Sequence, residues 1–190
     1  MNTGRKIETL GLCIMAAVLF CAYARADEQT ERLSRLGSVE QGQKAPWLAG
    51  FDVFEPTRAM NLTKLLKSPG GKRLAVVFFA TWCEPCKKGL AMLSENKKKL
   101  SAAGVRVVLV DVREEAGVVS AFLEKKNLHG FDALLDKFGT CAKSYGLAVV
   151  KKGEETLAIP KTFIIDKQGR LAAILGREGT DYVDRIIEAR

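Results

Sequence analysis

Leu74-Ala75-Val76-Val77-Phe78-Phe79-Ala80-Thr81-Trp82-Cys83-Glu84-Pro85-Cys86 is the stretch from which the rest of this 190-residue chain is read. An unbroken apolar run as far as Ala80 predicts a buried strand. The amphipathic segment from about Glu84 to Leu100 predicts a helix, with Pro85 in its first turn, where a missing N–H costs nothing. Two cysteines at C-x-x-C spacing therefore fall at a helix N-terminus. Unpaired backbone N–H groups and the positive end of the helix dipole favour a thiolate there. Cys83, nearest the terminus, reads as the more exposed and more acidic nucleophile, and Cys86, one turn on, as the resolving thiol. A permanent disulfide or a metal pair is the other use of such spacing. Glu84 sets a negative charge beside the pair, which tempers the depression of its pKa.

Further out, Val105 to Val110 is a second buried run after the Gly104 break, so two parallel strands joined by a helix make a βαβ unit. Phe51 to Phe54 predicts a short strand, and Asn61 caps a short helix to Lys67, before the Ser68-Pro69-Gly70-Gly71 break. A helix is expected from about Glu115 to Lys126, with Val118, Val119, Phe122 and Leu123 on one face, and a shorter one from Phe138 to Tyr145. Phe163-Ile164-Ile165 and Leu171 to Leu175 flank Asp166-Lys167-Gln168-Gly169, a strong hairpin signal. Thr180 is expected to cap a last helix ending at Ala189. Leu147 to Ala158, with Lys151-Lys152-Gly153-Glu154-Glu155 at its centre, predicts a further hairpin.

Residues 1–26 read as a targeting segment rather than fold. Arg5 and Lys6 precede an apolar core from Leu10 to Ala22, and Ala24-Arg25-Ala26 fits a cleavage site. That core is short for a membrane span of about 20 residues; an uncleaved N-terminal membrane anchor is the alternative, and a lipoprotein signal at Cys21 is disfavoured by the bulky Phe20. Export to a periplasmic or other extracytoplasmic compartment follows. Residues 27–41 are polar and form a tether, and 42–190 form one domain with ample length for a core. Processing removes Cys13 and Cys21, leaving Cys83, Cys86 and Cys141, which suits one reactive pair rather than a disulfide scaffold. Cys141 shares a helix face with Tyr145 and reads as a small buried hydrophobe, with a second redox thiol as the alternative. The net charge of +8 falls by two on processing, because Arg5, Lys6 and Arg25 leave with Glu8. The remaining cations are scattered without interleaved aromatics, so nucleic acid is not a partner. His129 is the single histidine, which rules out a histidine-based metal site.

Together, Gly42-Gln43-Lys44-Ala45-Pro46, Phe78 to Cys86, Asp111-Val112-Arg113-Glu114 and Ile159-Pro160-Lys161-Thr162-Phe163 through Arg170 resemble the TlpA/ResA-like branch of the thioredoxin superfamily. The resemblance runs from about Gly42 to the C-terminus. It implies an α/β, thioredoxin-like fold, a central mixed sheet flanked by helices, here with an N-terminal extension. It further implies that Pro160 is cis beside the cysteines and that Ile159 offers backbone groups to an extended substrate; Trp82 borders the site for shielding and surface recognition of the substrate, and Glu84 and Pro85 tune the pair. Glu114 matches a glutamate that ResA-like proteins place below the disulfide. A partly buried carboxyl there has a raised pKa and takes the proton from Cys86; the alternative is an acid supplied to the N-terminus of the next helix. The chain departs from the pattern in three places. Lys161 stands where threonine or a small residue is common, Val77 where many thioredoxins carry a buried acid, and 147–158 where the family passes almost directly to the proline.

The activity implied is thiol–disulfide exchange through Cys83 and Cys86, reducing client proteins such as apocytochrome c or copper-site assembly factors. Electrons come from a membrane thiol reductant, no cofactor or metal is called for, and the protein is expected to be a monomer. An oxidase or isomerase would use the same thiols in the other direction. A Cu(I) metallochaperone is a non-enzymatic alternative, since soft thiolates suit Cu(I) and Met92 is a conceivable extra ligand, although Met92 has core spacing with Leu93 and Leu100. A thiol peroxidase fits less well, because Thr81 is two residues before Cys83 rather than three.

Overall fold

The computed structural model describes residues 39–68, 71–151, 154–176 and 179–189. The targeting segment expected at 1–26, most of the tether expected at 27–41 and the Pro69-Gly70 turn lie outside them. At the centre stands β3 (Arg73–Phe79), parallel to β4 (Val105–Val112), in register from Arg73 opposite Val105 to Phe79 opposite Asp111. Strand β4 is parallel in turn to β5 (Asp132–Asp136). On the other side β3 pairs antiparallel with β8 (Lys161–Asp166), and β8 with β9 (Leu171–Leu175). With β1 (Ala49–Asp52) and β2 (Ala59–Asn61) the mixed sheet runs β2-β1-β5-β4-β3-β8-β9. The expected α/β mixed sheet with flanking helices is what the chain forms.

Helices cover both faces. On one lie α2 (Glu84–Glu95), α4 (Ala116–Lys125) and α6 (Tyr182–Glu188); Leu90, Leu93, Val119, Leu123, Tyr182 and Ile186 pack there against Ala75, Val77 and Phe79. On the other, α1 (Leu62–Lys67) and α5 (Thr140–Ser144) bring Leu65, Cys141 and Ala142 to Leu74, Val76 and Phe78. Alternate residues of β3 thus serve opposite cores, which is why its sequence is apolar without a break. Phe78, Tyr145 and Phe163 form an aromatic cluster on the second face, with centroids 4.8–5.7 Å apart.

Several boundaries differ from expectation. The helix predicted to reach Leu100 ends at Glu95, because Asn96 leaves helical geometry (φ −109°, ψ 20°) and its side-chain amide donates to the Met92 carbonyl; α3 (Lys97–Ala102) then restarts. Strand β1 closes two residues before the expected Phe54, because Asp52 turns the chain by accepting from Phe54 N and Glu55 N, each at 2.8 Å. Asp181 rather than Thr180 is the residue before α6, and it makes no side-chain cap bond. Val118 is exposed, off the buried face of Val119 and Leu123. Asn61 does cap α1, accepting from Lys64 N. Gly169, with φ 76°, closes the β8–β9 hairpin. The inserted segment forms a hairpin of its own, β6 (Ala148–Lys151) and β7 (Glu154–Leu157). Among the described residues no helix is long and apolar enough to cross a membrane.

Strand β1 lies against β5 through Gly50, where an added Cβ would stand 2.6 Å from the Leu135 carbonyl oxygen and 2.8 Å from Leu134 Cδ2. Backbone cannot yield as a side-chain tip does, so Gly50→Ala is expected to destabilise by about 1–3 kcal/mol in urea unfolding. A loss below about 0.5 kcal/mol, the size of a neutral surface change, would contradict this packing.

Candidate redox site

Strand β3 leaves the core at Ala80, and Cys83 N donates to the Ala80 carbonyl at 3.1 Å, closing a tight turn over Thr81 and Trp82. Cys83 has extended backbone (φ −79°, ψ 101°) and is the N-cap of α2. Its Sγ accepts from Cys86 N at 3.3 Å, the bond a capping side chain makes. The two sulfurs form a disulfide with Cα atoms 5.3 Å apart. Cys83 is 5% exposed and Cys86 0%, so the order of exposure expected from the sequence is the one found. Pro85 sits in the first turn of α2. Lys87 pairs with Glu84 and, by hydrogen bond first and charge second, holds that carboxyl below its ordinary range. The negative charge expected beside the cysteines is therefore accompanied by a positive one.

Beneath this turn lies a carboxyl pair. Glu114 accepts at both oxygens from one residue, from Thr81 N and from Thr81 Oγ1, each at 2.5 Å. That grip fixes the turn two residues before Cys83. Glu115, not Glu114, is the N-cap of α4, and it forms no side-chain cap bond; the capping alternative for Glu114 is not what the chain adopts. Asp111 shares its face of β4 with Val107 and Leu109, which line the core that holds Cys83 and Cys86. It is fully buried; Oδ1 accepts from Glu114 N at 3.2 Å and Oδ2 has no partner. Burial first, and the neighbouring Glu114 carboxyl second, push its pKa up to about 9. The sequence motif that contains Asp111 suggests no role for it, although an acid at the inward position of a valine-rich strand was the available signal.

Ile159–Pro160 is a cis peptide, as the resemblance implied. Before it, Ala158 N donates to the Leu147 carbonyl at 2.8 Å, closing the base of the β6–β7 hairpin. Arg113 pairs with Glu155 at 2.5 Å and so ties that hairpin to the segment after β4. Pro160 and Ile159 line a groove with Glu84, Pro85, Lys88 and Lys161. Trp82 is 60% exposed at the border of the turn. Cys141 lies in the opposite core, fully buried, its thiol donating to the Ala49 carbonyl at 3.2 Å. Burial pushes its pKa up to about 11, and the sheet stands between it and the disulfide. Among the described residues no group of three His, Cys, Asp or Glu is placed to hold a metal ion.

Residues 42–174 match the AhpC/TSA family model. A thiol-disulfide oxidoreductase ResA from Bacillus thuringiensis subsp. konkukian (strain 97-27) is 30% identical over 115 residues, 60% of this chain. The matched stretch spans 61% of that relative's length. A thiol:disulfide interchange protein DsbE homolog from Paracoccus denitrificans (strain Pd 1222) is 32% identical over 159 residues, 80% of this chain and 76% of that one. The crystal structure of a thiol:disulfide interchange protein of the thioredoxin family from Chlorobium tepidum TLS has a TM-score of 0.59 at 22% identity, covering 80% of this chain and 97% of that one. That last likeness concerns the fold, which is thioredoxin-like. The relatives agree with the resemblance read from the motifs.

Asp111 ties stability to pH. Unfolded, it ionises near its ordinary 3.8; folded, it holds its proton to about 9. Between those values the folded state binds the extra proton, so rising pH destabilises it, until the loss is complete above the folded value. The urea midpoint of the oxidised protein is expected to fall between pH 5 and pH 9 relative to that of Asp111→Asn, measured alongside. Parallel profiles would contradict a buried protonated Asp111.

Proposed function

The chain belongs to the AhpC/TSA family, and from that premise we propose that it is a thiol–disulfide oxidoreductase that reduces disulfides of client proteins. The observation that carries this reading is the Cys83–Cys86 disulfide at the N-terminus of α2, with Cys83 slightly exposed and Cys86 enclosed. In the reduced protein the Cys83 thiolate attacks a client disulfide. A Cys83–client bond forms, and the other client sulfur leaves as a thiolate. Cys86, having lost its proton, attacks the Cys83 sulfur, expels the second client thiolate and forms the bond present in the structure. Two electrons pass to the client, and the two protons of the dithiol end on its thiols. An external dithiol, of the membrane reductant class, restores the pair.

The surroundings have roles in this scheme. The N-terminal N–H groups of α2 stabilise the Cys83 thiolate, and Cys86 N already points at that sulfur. A charged carboxylate on the same face would oppose ionisation of Cys86; a protonated Asp111 removes that opposition. Glu114 positions the Thr81–Cys83 turn. Trp82, Ile159 and Pro160 meet the client, and Glu84 and Pro85 adjust the pair. The reducing direction, and action outside the cytoplasm after export by residues 1–26, follow the likeness to ResA-type chains and the sequence of that segment.

Removing one sulfur at a time tests the scheme. Cys86→Ser is expected to accumulate a mixed disulfide with a scrambled or insulin-like substrate, seen as the summed mass. Cys83→Ser is expected to trap none and to lose turnover by at least about a thousandfold, since removing an essential nucleophile costs orders of magnitude. Equal trapping by both variants, or by neither, contradicts the assigned order of attack.

A further inference from the structure

The groove beside the disulfide has an unbalanced charge. It holds about 650 Å³ between the start of α2 and the Ala158–Lys161 segment. Pro85, Ala158, Ile159 and Pro160 supply apolar walls, and Glu84, Lys88 and Lys161 supply the charges. Glu84 is the acid of the lining, and it is already paired with Lys87. Lys88, one helical turn further along α2, is exposed, and Lys161 is half-buried at the start of β8. Neither forms an ion pair among the described residues. Lys161 Nζ lies 3.6 Å from where a Cβ on Gly176 would stand, so a larger residue there would touch the ammonium. Without an ion pair among the described residues and beside apolar walls, these two ammonium groups attract a carboxylate more strongly than they would in open water, and they repel a third cation.

We propose that this groove selects disulfides whose flanking segment carries a carboxylate, with Lys88 and Lys161 as the residues that set the preference. The inference rests on the exchange activity proposed above. The occupant is a short stretch of a disulfide-bearing protein with Asp or Glu next to its reactive cysteine.

Three peptides, identical except for Glu, Gln or Lys beside one cysteine of an internal disulfide, separate the possibilities. Single-turnover reduction by the reduced protein is expected to run Glu, then Gln, then Lys, with about 3–10-fold between the ends at low salt, as for one or two partly exposed ion pairs. The spread is expected to narrow at about 0.5 M salt, where screening reaches within a few ångströms. Lys88→Glu/Lys161→Glu is expected to invert the order, and the milder Lys88→Gln/Lys161→Gln protein to flatten it, each judged by the ratio between peptides within one variant. Equal rates for the three peptides with wild-type protein would overturn the preference and leave exchange standing. An order unchanged in both variants would overturn its assignment to these lysines. Failure to reduce any peptide would overturn the exchange activity itself.

Discussion

The parallel register of β3 against β4 is the constraint on which the site depends. Arg73 stands opposite Val105, and Phe79 opposite Asp111, so the two strands end together. At that common end β3 turns into α2 through Thr81 and Trp82, and β4 turns towards α4 through Arg113, held at φ 69°. The two turns meet where Glu114 grips the Thr81 N–H and hydroxyl. A shift of one residue would send Asp111 to the opposite face and withdraw Glu114 from Thr81, because successive side chains alternate across a sheet. The position of Cys83 is thus set by pairing across two buried strands and not by its own loop alone.

From that placement follow the chemical properties of the centre. Cys86 is enclosed and Cys83 nearly so, which leaves Cys83 as the more accessible of the two. The same enclosure keeps Asp111 protonated: desolvation disfavours its anion, and Glu114 beside it adds a second reason. Buried polar atoms without partners are costly, and Asp111 Oδ2 is one, so a neutral carboxyl is the form this core tolerates. Thr81 joins the two parts, since it donates twice to Glu114 and leads directly into Trp82-Cys83.

Much of this was legible in the sequence because the relevant signals are local. The apolar run before Cys83, the capping position of Cys83 itself, Asn61 before α1 and the Asp166–Gly169 turn each express a short-range rule of the backbone. Elements defined by their neighbours were harder to read. Strand β5 offers only Ala133-Leu134-Leu135 between two aspartates, and β2 has three residues; both are strands because of what they pair with. Helix α2 stops at Asn96 through a side-chain bond back to Met92, although the hydrophobic spacing continues to Leu100. Asp111 was obscured by the opposite effect, a charged residue in a segment otherwise buried, whose meaning depends on which face it occupies.

The reduction potential of the Cys83–Cys86 pair, measured against glutathione or dithiothreitol buffers in the folded protein, tests the account most directly. Exchange between a thiolate stabilised at a helix N-terminus and an enclosed resolving thiol, run in the reducing direction, predicts a value near or below about −180 mV. A value near about −120 mV, the strongly oxidising end of the known range, would contradict the reducing role, and a pair that failed to exchange at all would contradict the redox centre.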